Sequence, residues 1–114
     1  EFPRGDLRQT DPKSRQPRFI QYLTAAEQLD ALAKERFGKR VLHLALRWLL
    51  DRPSVGVALW GTRHPGQLDP VSEIADFHID EQTARDIDRI LDECIKQPVG
   101  PEFMSPPTRE EKAA

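Results

Sequence analysis

Apolar positions recur at helical spacing in two stretches of this chain and form a nearly unbroken run in a third. Leu29, Leu32, Ala33 and Phe37 follow one another at three- and four-residue intervals, the spacing that lines one face of an α-helix. Thr24 with Glu27 three positions on reads as a capping box that starts this helix, and Gly38 as the residue that stops it. Nearer the end, Ile87, Ile90, Leu91, Cys94 and Ile95 make a second stripe behind an Asp80 cap, with Glu81 complementing the helix dipole. Between them, Val41 to Leu50 is apolar except for His43 and Arg47, which lie four apart and share a face with Asp51. As a strand this run would bury nothing consistently. It is therefore predicted to be a helix buried against more than one neighbour, with Trp48 as its largest anchor.

Arg52 precedes Pro53 and is pushed out of helical geometry, which ends that helix. Val55, Val57, Ala58, Leu59 and Trp60 then follow with no polar side chain among them, the pattern of a strand covered on both faces. One short buried strand is expected at 55–60. A strand needs ladder partners, and no second convincing strand is visible in the 114 residues. Beyond a turn at Gly61, Pro65 suits a first helical position, whereas Pro70 would break a helix running on from there. Two short elements are expected: a turn over Pro65 to Leu68, then a helix capped by Asp69 that buries Val71, Ile74 and Ala75. The flanks read differently. Residues 1–23, with Pro3, Pro12, Pro17 and Gly5, are expected to be an extended loop. Residues 97–114, with Pro98, Pro101, Pro106 and Pro107 and a charged end, are expected to be an irregular tail. The body between them, 24–96, reads helix, helix, strand, helix, helix.

Composition narrows the function classes. A chain of 114 residues has room for one core. Its net charge of −2 supplies no electrostatic footprint for a nucleic acid, and its apolar runs fall far short of the roughly 18 residues of a membrane span. Cys94 is the sole cysteine, so neither an intramolecular disulfide nor a cysteine-based metal site is available, which fits a cytoplasmic setting. The chain opens on Glu1 and has its one methionine at Met104, so it reads as a piece of something longer.

Candidate chemistry is concentrated after the apolar run. Gly61, Thr62, Arg63, His64, Pro65, Gly66, Gln67 and Leu68 carry the chain from a strand end toward helix-starting backbone. Unpaired N–H groups and a positive dipole end lie there, beside a hydroxyl and a guanidinium, which is the donor set of a phosphate site. The competing reading is an Arg and a Thr on a solvated loop. Elsewhere the readings are structural. His43 has no titratable partner in sequence range and reads as a solvent-edge or hydrogen-bonded structural histidine, Arg47 with Asp51 as a helix-surface pair, and Tyr22 as a packing residue. Arg4-Gly5-Asp6 spells an integrin-ligand tripeptide, but three residues recur by chance, and a surface turn is the expectation.

The run Ala58-Leu59-Trp60-Gly61-Thr62-Arg63 with Pro65, Gln67 and Leu68 resembles the C-terminal cofactor-binding turn of the aldo/keto reductases, in particular bacterial members. The opening Phe2-Pro3 with Gly5-Asp6 and Arg8, followed by Arg18-Phe19, is similar to the loop after the seventh barrel strand of that family, which lies near the cofactor. The resemblance implies an α/β fold, the C-terminal part of a (β/α)8 TIM barrel, helix-rich, with four main helices or helical segments and the one strand. It implies NADP as cofactor, with Gly61 and Thr62 offering backbone and hydroxyl donors, Arg63 the charge for the 2′-phosphate, and Gln67 a contact to the adenine edge. Where the family continues with an acidic residue and an asparagine, this chain has Pro70 and Val71. The implied activity of the parent is NADPH-dependent reduction of a carbonyl substrate. The family's catalytic aspartate, tyrosine, lysine and histidine precede this region and none is matched here, so the chain alone is not expected to catalyse hydride transfer. The alternative is a non-enzymatic helical interaction or oligomerisation module that docks through Val41–Leu50. In either case the isolated chain is expected to self-associate.

Overall fold

The computed structural model of the chain describes residues 2–100 and 103. Three α-helices carry the body: α1 (Arg18–Phe37), α2 (Val41–Leu50) and α3 (Glu81–Cys94). Two short 3₁₀ turns, Leu7–Gln9 and Pro12–Ser14, precede α1, and a longer 3₁₀ segment, Pro65–Glu73, lies between α2 and α3. With that segment the four expected main helical elements are present.

α1 stops where expected. Gly38 takes a left-handed φ of 64°, which a residue without Cβ adopts without strain, and its N–H donates to the Lys34 carbonyl at 3.0 Å. Its start differs from the capping-box expectation, because Thr24 lies inside the helix and the first turn begins at Arg18. The Phe19 N–H donates to the Arg15 carbonyl at 2.8 Å. Pro17, counted above among the residues that resist helix, stands just before the first turn, where its missing N–H costs nothing. The expected loop therefore gives way to helix at Arg18.

α1 is the element on which the other two rest. Ala33, fully buried on α1, meets Leu44 of α2 and Ile87 of α3, with Leu29, Leu32, Phe37, Trp48, Ile79 and Leu91 packed around them. A small residue at this point lets both partner helices approach. Burying a leucine side chain the size of Leu44 contributes about 1.5–3 kcal/mol. α2 and α3 do not close completely over α1: an apolar cavity of about 190 Å³ remains, bounded by Leu29, Val41, Leu44, Trp48, Ile87 and Leu91 among others. α3 begins as predicted, with the Asp80 carboxylate accepting the Thr83 N–H at 2.6 Å. Its stripe is buried at Ile87 and Ile90 and half-buried at Leu91, Cys94 and Ile95.

Two expectations are overturned. Residues 55–60 form no strand, and among the described residues there is no strand at all. Val57 is 75% exposed and Leu59 94% exposed, so the run is not buried either. The cause is the lack of a ladder: no neighbouring strand among the described residues supplies the N–H and C=O partners that extended backbone requires. The second correction concerns the two short elements expected over 65–75. Pro65–Glu73 is one continuous 3₁₀ segment with Pro70 inside it. Pro70 has no N–H and would clash with an α-helical i−4 carbonyl, so the tighter winding persists where an α-helix cannot. Of the residues expected to be buried there, only Ile74 is; Val71 and Ala75 are exposed.

After α3 the chain is irregular and doubles back along the start of α1. The Arg18 Nε donates to the Gln97 carbonyl at 3.0 Å, the Lys96 N–H to the Gln21 Oε1 at 3.1 Å, and the Val99 N–H to the Tyr22 hydroxyl at 3.2 Å. Tyr22 is thus a packing and anchoring residue. The rest of the expected tail, 101–114 apart from Phe103, lies outside the described residues. No helix among the described residues is long and apolar enough to cross a membrane.

Candidate functional site

The turn at 61–67 is organised by one side chain. The Gln67 Oε1 accepts the N–H of Arg63 at 2.6 Å and the N–H of His64 at 3.1 Å, while the Gln67 N–H donates to the His64 carbonyl at 3.0 Å. The glutamine amide thus takes up two of the free donors at the start of the 3₁₀ segment. Its own Nε2, the Thr62 hydroxyl and the Arg63 guanidinium remain without a hydrogen-bond or ion-pair partner among the described residues.

Across from the turn stands the loop Pro3–Arg8, and the two enclose a cleft of about 710 Å³ to which Gly61, Arg63 and Gln67 contribute one wall. Thr62 is exposed on the same turn and does not line that wall. The loop is built around Asp6. Gly5 adopts a left-handed φ of 86°, and the Asp6 N–H donates to the Pro3 carbonyl at 3.1 Å, so Arg4-Gly5-Asp6 is a surface turn. The Asp6 carboxylate then accepts the Arg8 Nε at 3.0 Å, the Arg8 Nη2 at 2.6 Å and the Arg8 N–H at 2.9 Å. This forked bond, then the backbone N–H, hold the Asp6 carboxyl at about 2, with the Arg63 charge adding a smaller pull from across the cleft. The Arg8 guanidinium also stacks on the Phe2 ring at 4.4 Å. Arg8 neutralises Asp6, and Arg4 and Arg63 are left at the cleft with no ion pair among the described residues. The wall formed by 3–8 is the part of the site that the sequence pattern alone left unassigned; its similarity to a family loop was the available signal.

The polar face of α2 points elsewhere. The His43 Nδ1 accepts the Arg40 N–H at 3.2 Å, and the buried Nε2 lies 3.7 Å from the Glu73 Oε2 with no hydrogen-bond partner among the described residues. Arg47 pairs with Asp51 at 2.6 Å, as expected of that spacing, and its Nη1 also reaches the Ile74 carbonyl at 3.5 Å. His43 is a structural histidine of the interior. No cluster of three or more His, Cys, Asp or Glu side chains capable of holding a metal ion occurs among the described residues.

The comparisons with known proteins bear on this geometry. The model of the aldo/keto reductase family matches residues 3–92, a span that includes both walls of the cleft. The chain is 56% identical over 110 residues to the aldo-keto reductase YhdN of Bacillus subtilis strain 168, covering 96% of this chain and 33% of that protein. Among solved structures it is similar to the glycerol dehydrogenase AKR11B4 from Gluconobacter oxydans, with a TM-score of 0.78 and 39% identity over 92% of this chain and 32% of that one. The chain therefore spans about a third of the length of these relatives.

Proposed function

Because the chain belongs to the aldo/keto reductase family, we propose that it is the NADP-holding C-terminal portion of an oxidoreductase that reduces carbonyl compounds. The observation that carries this reading is the donor set on the 61–67 turn. Thr62, Arg63 and the Gln67 Nε2 are uncommitted among the described residues, on backbone that Gln67 has already fixed, and Arg4 adds a second unpaired cation at the same cleft. This set fits a phosphate dianion. The hydroxyl and amide are neutral donors and the guanidinium is a charged one, and among the described residues the one carboxylate lining the cleft, Asp6, is taken up by Arg8. In this reading Arg63 and Thr62 hold the 2′-phosphate of the cofactor and the Gln67 Nε2 meets the adenine edge. Bound there, the cofactor supplies the hydride for carbonyl reduction.

Hydride transfer itself is assigned to residues outside this chain, since no residue here matches the family's catalytic groups. The barrel of which 24–96 forms a part would be completed by them, and NADP(H) and a carbonyl substrate are the partners of that whole. Titration of the chain with NADPH, followed by cofactor fluorescence, tests the proposal. A saturable response that NADH does not reproduce is the expected result, and no response at all would remove the reading.

A second reading, a non-enzymatic helical interaction module, draws on a different observation. The apolar cavity over Leu44 and the exposed side chains of Val57 and Leu59 leave apolar surface that water covers poorly. On this basis the isolated chain self-associates, whichever reading holds.

A further inference from the structure

The 3₁₀ segment Pro65–Glu73 carries the cofactor turn at its front end, yet it buries none of its own residues. Ile74 and Phe77, the latter with its ring 4.8 Å from that of Phe37, follow it as apolar anchors, and polar groups add to what holds it to the helical body. Lys39, just before α2, and His43, Arg47 and Asp51, at four-residue intervals along α2 and its C-cap, each face the chain from Glu73 onward. The Lys39 Nζ donates to the Glu73 Oε2 at 3.0 Å and the Asp76 Oδ2 at 2.9 Å; the His43 Nε2 lies 3.7 Å from Glu73; Arg47 reaches the Ile74 carbonyl at 3.5 Å; and Asp51 accepts the Ile79 N–H at 3.5 Å. The Lys39 side chain is only 15% exposed, but both carboxylate partners are more than half exposed, so solvent still screens the two bonds. Asp76 first, and then Glu73, hold the Lys39 ammonium above its ordinary value.

We propose that the contacts of Lys39, Arg47 and Asp51 form a ladder that, with Lys39 and Glu73 as its leading pair, positions the cofactor turn. Glu73 ends the segment whose first residues include Gln67, and Gln67 holds the N–H groups of Arg63 and His64. Anchoring the rear of a short, continuously wound segment restricts the direction in which its front points. Lys39 and Glu73 are positioning residues: they act through Gln67 and touch no part of the cofactor themselves. The inference rests on the reading that the turn binds NADP.

The test uses Lys39→Met, which removes the charge from a largely covered side chain while keeping much of its volume, and Glu73→Gln as a second variant at a more exposed position. Amide–solvent exchange is read by NMR on the 114-residue chain, and NADPH is titrated into the same samples. In both variants the Arg63 and His64 amides should exchange about two- to tenfold faster, the worth of one net hydrogen bond. The amides of Ala33, Leu44 and Ile87 should keep their rates, and NADPH affinity should fall in step with the loosened turn. Unchanged exchange at Arg63 and His64 would overturn the proposal. So would an equal acceleration in the core, which would make the ladder a contributor to overall stability only, or a loosened turn with undiminished NADPH affinity. A wild-type chain that ignores NADPH would remove the cofactor reading alone, because the exchange contrast between turn and core still decides the ladder.

Discussion

Arg36 of α1 donates from Nη1 to the hydroxyl of Thr83 at 2.8 Å, although the two residues are 47 positions apart. Thr83 is completely buried, and the same guanidinium also pairs with Asp86 one turn along α3. A buried hydroxyl facing a charged donor should contribute about 1.5–3 kcal/mol. Thr83→Val, which keeps the shape and deletes the oxygen, is therefore expected to lower the stability of the chain by an amount in that range. Thr83→Ser, which keeps the oxygen and loses a methyl, should cost less. Urea unfolding with equal m-values for the three proteins is the measurement, and a Ser variant weaker than the Val variant would show that packing dominates at this position.

If the turn binds the cofactor as proposed, Arg63 should set cofactor choice. NADP differs from NAD by a phosphate on the adenosine ribose, and a charge-assisted bond to it should be worth about one to two powers of ten in binding. Arg63→Ala is expected to weaken NADPH by that factor and leave NADH nearly unchanged. His64→Ala should matter less, because its contribution to the turn is a backbone N–H that the substitution keeps. Equal loss for both cofactors, or loss for neither, would make the turn structural.

Acid should reach last the carboxylates that are bonded in the folded chain, and their protonation should cost stability. The Asp6 carboxyl lies at about 2 against an ordinary 3.8, and those of Asp80 and Asp86 are also lowered, by the Thr83 N–H and by Gln82 and Arg89 respectively. A depressed folded value means stability that is present above the unfolded value and lost as pH falls through the folded one. For Asp6 that window runs from about 3.8 down to about 2. An NMR titration of the side-chain carboxyl should find its midpoint near the lower end, and Arg8→Met should move it back toward 3.8. A midpoint unaffected by the loss of Arg8 would contradict the forked bond.

Self-association should be visible by sedimentation at micromolar concentration. Leu59 at 94% exposed and Val57 at 75% are large apolar side chains in water, and covering each is worth about 1.5–3 kcal/mol at most. Val57→Lys combined with Leu59→Lys is expected to shift the chain toward monomer. A wild-type chain that sediments as a compact monomer throughout would remove the self-association expected under either reading.

α2 and α3 could be read from the sequence because their signals are local. A 3.6-residue stripe and the Asp80 cap lie within the helix they define, and Gly38 marks the end of α1 in the same way. The run 55–60 could not, because its apolar pattern states only that these residues suit a covered strand, while pairing depends on backbone from elsewhere. The start of α1 was misplaced by giving Pro17 the meaning of a breaker when it stands at a helix entrance. At the candidate site, the donors on Gly61, Thr62, Arg63 and Gln67 are adjacent in sequence and were visible. The facing loop at Asp6 and Arg8 was reached through family resemblance alone, and the pairing of Lys39 with Glu73 spans 34 positions with no local signature.

The bond that Arg18 donates to Gln97, and those that Gln21 and Tyr22 accept from the Lys96 and Val99 N–H groups, bring the entry and exit of the helical body side by side. A unit whose two ends meet can be cut out, rejoined in a new order or spliced into a host loop without stretching the connection. Circular permutants that link the neighbourhood of Val99 to that of Arg18 and reopen the chain at the exposed Pro53-Ser54 bend would retain the same packing of α1 against α2 and α3. Permutants that keep this packing would show that the order in which the ribosome delivers the helices is separable from the architecture they form.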